Sequence, residues 1–189
     1  DRNSIFDGNG NIRPSLLPND LCYEVFDYTG THIPTYKGDK VTISTSFVNL
    51  ADSSKSYQTT GTQADVQGTS SEGYPKKNFK VKYKGTITQN NRVVSGVELE
   101  TGDMPVAEFC YKKDFASSDK CNNTVSARLY DMLCPYKTPA QVANSQVRTT
   151  IKGIPAVLFA QTDGSDPYFI GAYNKNFDKG TEKLFGFTD

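Results

Sequence analysis

Hydrophobic and polar positions alternate with a period of two through most of the first half of the chain. Val41, Ile43, Thr45 and Phe47 interleave with Thr42, Ser44 and Ser46, and Phe79, Val81 and Tyr83 interleave with Asn78, Lys80, Lys82 and Lys84. This period sends successive side chains to opposite faces of a strand, one buried and one wet. Strands are expected from Leu21 to Asp27, Lys40 to Asn49, Tyr57 to Gln67, Phe79 to Tyr83, Arg92 to Leu99 and Pro105 to Tyr111. Turn signals rich in Gly, Pro, Asn, Asp and Ser separate them at Asp27–Gly30, 51–56, Gly68–Pro75, Gln89–Asn91 and Thr101–Asp103.

The period then changes. Asn122 or Asn123 caps a helix on which Val125, Leu129, Met132 and Leu133 recur at helical spacing, and Pro135 ends it. Thr138-Pro139 starts a second, short helix, with Thr as cap and Pro in the first turn. Val147 to Gln161 reads as two strands around Lys152–Pro155, and Ala156–Ala160 is apolar enough for a central strand buried on both faces. A turn at Thr162–Pro167 leads to a strand from Tyr168 to Tyr173, and Asn174–Gly180 reads as a loop. The fold class is α+β, a mainly antiparallel β-sheet of about eight strands with one or two helices packed on it. The 189 residues form a single domain. It comprises an extended leading segment (1–20), a mostly β part (21–115), a helical part (116–146) and a β hairpin with a loop (147–189), and is expected to belong to a longer chain.

Composition narrows the function. Lys plus Arg equals Asp plus Glu at 21 each, so the chain has no net field for sequence-independent nucleic-acid binding. No apolar run approaches the roughly 18 residues of a membrane-spanning helix. Cys22, Cys110, Cys121 and Cys134 show no metal-knuckle spacing, and either two disulfides or buried thiols fit them; their apolar neighbours favour thiols. The only histidine, His32, sits in a turn without a nucleophile motif and reads as a surface residue. Asp7–Asn11 begins like a calcium loop but has Ile12 and Pro18 where Gly and Glu are required, so it reads as a plain turn. Asp163 and Asp166 read as turn residues.

The stretch Gln67–Tyr83 is the most distinctive. Gly68, Ser70 and Ser71 form a small-residue loop whose backbone amides suit an anion, although a plain hairpin beside a solvated lysine face accounts for the same pattern. Gln67-Gly68-Thr69-Ser70-Ser71 followed by Tyr74-Pro75-Lys76-Lys77-Asn78-Phe79-Lys80-Val81-Lys82, with Val147–Pro155 and Phe169–Asn174 downstream, resembles the two blocks of the CotH (spore coat protein H) kinase-like family. The variant ending in Asn174-Lys175-Asn176-Phe177-Asp178-Lys179-Gly180 is similar to that of bacteriophage minor structural proteins. The resemblance spans roughly residues 60–180 and implies the sheet-rich half of a CotH/kinase-like fold. It implies a virion structural protein of the tail, fibre or head decoration, oligomeric, contacting other virion proteins and the host cell surface. It assigns no catalytic residue, metal or cofactor. The alternative it carries is a CotH-like protein kinase or its nucleotide-binding half. Gly68, Ser70, Ser71, Lys77, Lys80 and Lys82 would then bind the phosphates of Mg-ATP. Against it, Asn174-Lys175-Asn176 stands where the cellular family carries an acidic residue, and the family's later catalytic segment would lie beyond residue 189.

Overall fold

A computed structural model describes residues 7, 13, 15, 17–114, 122–134, 137–163 and 165–187. Among these residues nine strands run β1 (Cys22–Asp27), β2 (Val41–Asn49), β3 (Tyr57–Gln67), β4 (Asn78–Tyr83), β5 (Ile87–Gln89), β6 (Arg92–Val94), β7 (Glu108–Lys112), β8 (Gly153–Gln161) and β9 (Tyr168–Phe177). Two helices, α1 (Asn122–Leu133) and α2 (Pro139–Ala143), lie between β7 and β8. The sheet order is β2-β1-β8-β9-β7-β4-β3, and β2 also pairs with β3, so seven strands close into a barrel. The short β5–β6 hairpin continues from β3 outside this ring, its tight turn made by Asn90 and Asn91 with positive φ. Every pairing is antiparallel except β1 with β8.

The chain is therefore rich in β structure with few helices, as the periodicity indicates, but the sheet is closed rather than open. Closure follows from β3: its eleven residues pair with β2 along one edge and with β4 and β5 along the other. A closed ring leaves no unpaired strand edge. The pleat sends Val41, Ile43, Phe47, Ala64, Val66, Phe79, Val81, Phe109, Leu158 and Phe177 into one buried cluster. Each fully buried large side chain of this kind contributes about 1.5–3 kcal/mol. Phe26 lies edge-on to Tyr28, Phe79 and Tyr111, with ring centroids 6.3, 6.1 and 5.3 Å away.

The strand expected from Arg92 to Leu99 stops at Val94, beyond which Val97 makes only an isolated bridge to Val106. Three further expectations change. Residues 174–177 are not loop: β9 runs on to Phe177, bonded to β7 and β8, because Lys152 O and the β7 backbone complete a ladder that their polarity did not advertise. Residues 147–152 are not strand: Arg148 N bonds Leu184 O at 2.8 Å, and the Thr149 and Thr150 hydroxyls bond Asp131. Third, α1 turns its apolar stripe away from the barrel. Val125, Leu129, Met132 and Leu133 are more than half exposed, whereas Thr124, Ala127 and Arg128 face inward. Polar anchors decide the orientation. Arg128 Nη2 donates to Glu100 Oε1 at 2.9 Å and to Gly153 O at 3.0 Å, and Thr150 Oγ1 donates to Asp131 Oδ2 at 2.7 Å. The helix α2 begins as expected, with a capping box between Thr138 and Gln141. The Asp7–Asn11 turn lies largely outside the described residues.

Candidate functional site

The loop and lysine strand come first. Ser70–Gly73 form a single turn of 3-10 helix, with Gly68 at φ 122° just before it; a side chain at Gly68 would collide with Ser71 Oγ. Ser71 Oγ accepts from Asn78 Nδ2 at 3.3 Å, and the Lys77 ammonium donates to the Glu72 carbonyl. Gly68, Ser70, Ser71 and Lys77 thus form one hairpin, which Lys77 itself ties shut. Lys80 and Lys82 lie farther along β4 on the outer wall of the barrel, as the alternation requires. There they meet carboxylates: Lys80 pairs with Asp178 and with Glu108 (3.4 Å), and Lys82 pairs with Glu108 (2.8 Å). Burial alone would depress the Lys80 ammonium, but Asp178 and Glu108 outweigh it and hold its pKa up. Burial likewise favours protonated Asp178, but Lys80 and the Gly180 N–H hold its carboxyl below the ordinary range.

Beside this row, α1 bridges a cleft of about 480 Å³ on the outer face of β7 and β9, lined in part by Gln67, Cys110, Lys112, Asn123, Asn176 and Asp178. Period two explains the set: Cys110 and Lys112 alternate with inward Phe109 and Tyr111, and Asn176 and Asp178 flank inward Phe177. Asn176 Oδ1 is buried and has no hydrogen-bond partner among the described residues. Gly153 lies directly behind it, where any side chain would displace the Asn176 amide. The Lys112 ammonium donates to Gln67 Oε1 and forms no ion pair among the described residues, and burial lowers its pKa. Burial, reinforced by Asp178, pushes the Cys110 thiol up to about 12, so it is no thiolate nucleophile at neutral pH. Two lysines, Lys112 and Lys179, one carboxylate and several amides suit binding of a small polar group, and the Cys110 thiol donates to Asp178 Oδ1 at 3.7 Å, a contact that keeps it protonated rather than activating it. His32 is elsewhere, with Nε2 2.7 Å from Asp39 on the surface, and Asp163 Oδ1 accepts from Gly30 N at 2.9 Å as a turn tie.

The third cluster, inside the barrel, was not foreseen. Lys175 is 1 % exposed and Glu24 is fully buried. Lys175 Nζ lies 3.5 Å from Glu24 Oε2 and also bonds Tyr57 Oη; Tyr57 Oη bonds Tyr83 Oη at 2.8 Å; Tyr83 Oη donates to Glu24 Oε1 at 3.2 Å. The four groups form a closed ring. Aromatic faces enclose the cation, with Phe47, Phe109 and Tyr57 centroids at 3.9, 4.5 and 4.8 Å. Burial depresses the Lys175 pKa, opposed by Glu24, and drives the Tyr57 and Tyr83 phenols well above their ordinary range. A sequence signal existed: Tyr173, Lys175 and Phe177 share one face at period two. Cys22 and Cys110 are thiols, in line with the apolar neighbours of the cysteines.

Together these features define a closed seven-stranded barrel with a charged interior, carrying a helix-bridged polar cleft on its outer wall. No protein-family model matches the chain, and no curated protein matches its sequence.

Proposed function

We propose that the chain is a structural module of a bacteriophage virion, a tail, fibre or head-decorating component built on the sheet-rich half of a CotH-like fold and acting in assembly or host attachment. The sequence blocks around Gln67–Lys82 and Phe169–Gly180 supply the phage and CotH part of this reading. The observation that carries the non-catalytic part is the state of the lysines. A phosphate cradle needs cations with unspent charge. Lys77 is held by the Glu72 carbonyl, Lys80 by Asp178 and Glu108, and Lys82 by Glu108. The filled, edgeless barrel suits a scaffold, and the exposed Leu129, Met132 and Leu133 on α1 suit contact with other virion proteins in an oligomeric particle.

A second reading, the nucleotide-binding half of a CotH-like kinase, draws on the cleft, where among the described residues Lys112 pairs with no carboxylate and Asn176 Oδ1 accepts from no donor. Titration calorimetry with Mg-ATP separates the two. The scaffold reading expects no saturable heat from the folded chain. Micromolar binding that disappears in folded Lys112→Ala, Lys80→Ala or Lys82→Ala protein would overturn it. Sedimentation velocity tests the scaffold directly: the chain self-associates, or associates with purified particle components, through a surface that Met132→Lys disrupts.

A further inference from the structure

We propose that Lys175 and Glu24 condense within the folded barrel to an intramolecular amide, an isopeptide bond between β9 and β1. The inference stands on the interior ring and does not depend on the virion reading.

The geometry supplies what an uncatalysed amine and carboxyl lack in water. The amine nitrogen lies 3.5 Å from Glu24 Oε2, and the carboxyl carbon is one bond beyond that oxygen. Attack needs Nζ itself within about 3–3.5 Å of that carbon, a short shift of the amine from its contact with the oxygen. Lys175 comes from β9 and Glu24 from β1, with only β8 between them, so hydrogen-bonded strands hold the pair in one barrel interior. Phe47, Tyr57, Phe109 and Tyr111 surround the ammonium and leave no room for bulk water. An ion pair in such surroundings carries a large desolvation cost, which proton transfer from ammonium to carboxylate relieves. The neutral amine and carboxylic acid so formed are the reactive partners, and burial lowers the Lys175 pKa in the same direction.

The ring also provides the proton path. The amine has three protons in its charged form. The first passes through Tyr57 and Tyr83 to Glu24 Oε1 and makes the acid. Nζ then attacks the carboxyl carbon. The second proton passes from Nζ to Tyr57 Oη, from Tyr57 to Tyr83 Oη across 2.8 Å, and from Tyr83 to Glu24 Oε1 across 3.2 Å. Oε1, now carrying two protons, leaves as water. The third proton stays on the amide nitrogen, and Oε2 becomes the amide oxygen. One C–N bond forms, one C–O bond breaks, no electrons are exchanged, and no co-reactant is required. The product replaces two buried charges with one neutral amide and joins residues on non-adjacent strands.

The test is the intact mass of the purified full chain, followed by tryptic peptide mapping. The expected result is a chain lighter by one water, no cleavage after Lys175, and a branched peptide joining the Glu24 and Lys175 segments. In Tyr83→Phe protein, the branched peptide accumulates about a hundredfold more slowly after folding, the contribution typical of one positioned proton donor. Lys175→Met removes it altogether. The unmodified mass in folded, aged wild-type protein overturns the proposal, as does a loss of water that maps anywhere else. Because the decisive measurement uses wild-type chain, misfolding of a variant leaves it intact. An unchanged rate in folded Tyr83→Phe protein overturns the relay assigned to Tyr83.

Discussion

Asp103 is the residue whose loss should most disturb the approach to the cleft. Its carboxylate is fully buried and receives three kinds of donor. Glu100 N donates to Oδ2 at 2.9 Å, Lys152 Nζ reaches both oxygens at 3.0 and 3.1 Å, and the Arg148 guanidinium donates to Oδ1. Lys152 also pairs with Glu100 at 2.6 Å, and Glu100 in turn holds Arg128 of α1. One carboxylate therefore ties the loop before β7 to the segment that starts β8, and through Glu100 it steadies α1. Replacing it by the isosteric amide, Asp103→Asn, keeps the shape but leaves two cations facing a neutral group. Breaking a fully buried pair costs about 3–5 kcal/mol. Arg148 and Lys152 retain side-chain exposures of 25 % and 14 %, and Lys152 keeps Glu100, so the cost here falls to about 2–3 kcal/mol. Asp103→Ala also removes the acceptor for Glu100 N and should cost roughly 3–5 kcal/mol.

Urea denaturation followed by tyrosine fluorescence and circular dichroism measures this directly. The thermal midpoint should drop by about 2–4 °C for each kcal/mol lost in a chain of this size. A cycle with Lys152→Met isolates the pair, and the two changes should be less than additive by about 1–2 kcal/mol. A loss below about 0.5 kcal/mol for Asp103→Asn, the scatter expected of an unimportant surface site, would falsify the role of the carboxylate as an anchor.

Four further outcomes follow from named contacts. The folded Asp178 pKa lies below its unfolded value, so its pairing with Lys80 stabilises the chain above the unfolded pKa and is lost as pH falls through the folded one; the urea midpoint should drop on acidification less steeply in Asp178→Asn than in wild type. Cys110, with its thiol pKa about 12, should stay unalkylated by iodoacetamide at pH 8 in folded protein and react once urea unfolds it; labelling at the native rate of an exposed thiol would contradict its burial. A methyl group at Gly96 would sit 2.9 Å from Val106 N and 3.0 Å from Pro105 C, so Gly96→Ala should cost about 1–3 kcal/mol by breaking the Val97–Val106 bridge, and an unchanged melting temperature would show that the loop yields. Leu129→Lys on the outer face of α1 should leave the stability of the isolated chain within about 0.5 kcal/mol of wild type, whereas Arg128→Met on its inner face should lower it; the reverse order would mean the helix seats the other way round.

Legibility in the sequence followed the strength of the local signal. The core of Lys40–Asn49 and Phe79–Tyr83 were readable because period two persists over many residues, and Thr138-Pro139 because a cap and a first-turn proline coincide. Closure into a barrel was not readable. It depends on β1 lying parallel to β8 across more than a hundred residues, and no local pattern specifies that pairing. The continuation of β9 through Asn174, Lys175 and Asn176 was hidden for a related reason: each is polar, and only the neighbouring strands and the opposite wall provide its partners. Of the site, Lys80 and Lys82 were placed on the correct face, but their neutralisation was not visible, since Glu108 and Asp178 are distant in sequence. Cys110, Lys112 and Asn176 converge only because β7 pairs with β9.

The two largest departures from pattern share one physical cause. Lys175 is inside and the apolar stripe of α1 is outside, and in both cases a polar contact was stronger than the hydrophobic preference it opposed. Leaving Leu129, Met132 and Leu133 in water forgoes about 1.5–3 kcal/mol for each side chain that burial would cover. A helix of twelve residues is marginal on its own. Its seat therefore rests on Arg128, which binds Glu100 and the Gly153 carbonyl, and on Asp131, which binds Thr149 and Thr150. Flipping the helix to bury the leucines would strand Arg128 and Glu100 and remove the donor to the Gly153 carbonyl. The orientation that keeps the cleft polar is thus the one that leaves an apolar strip outward. A partner surface laid on that strip would recover the forgone burial without disturbing the anchors beneath it, which is the physical basis for proposing that α1 serves assembly rather than the core.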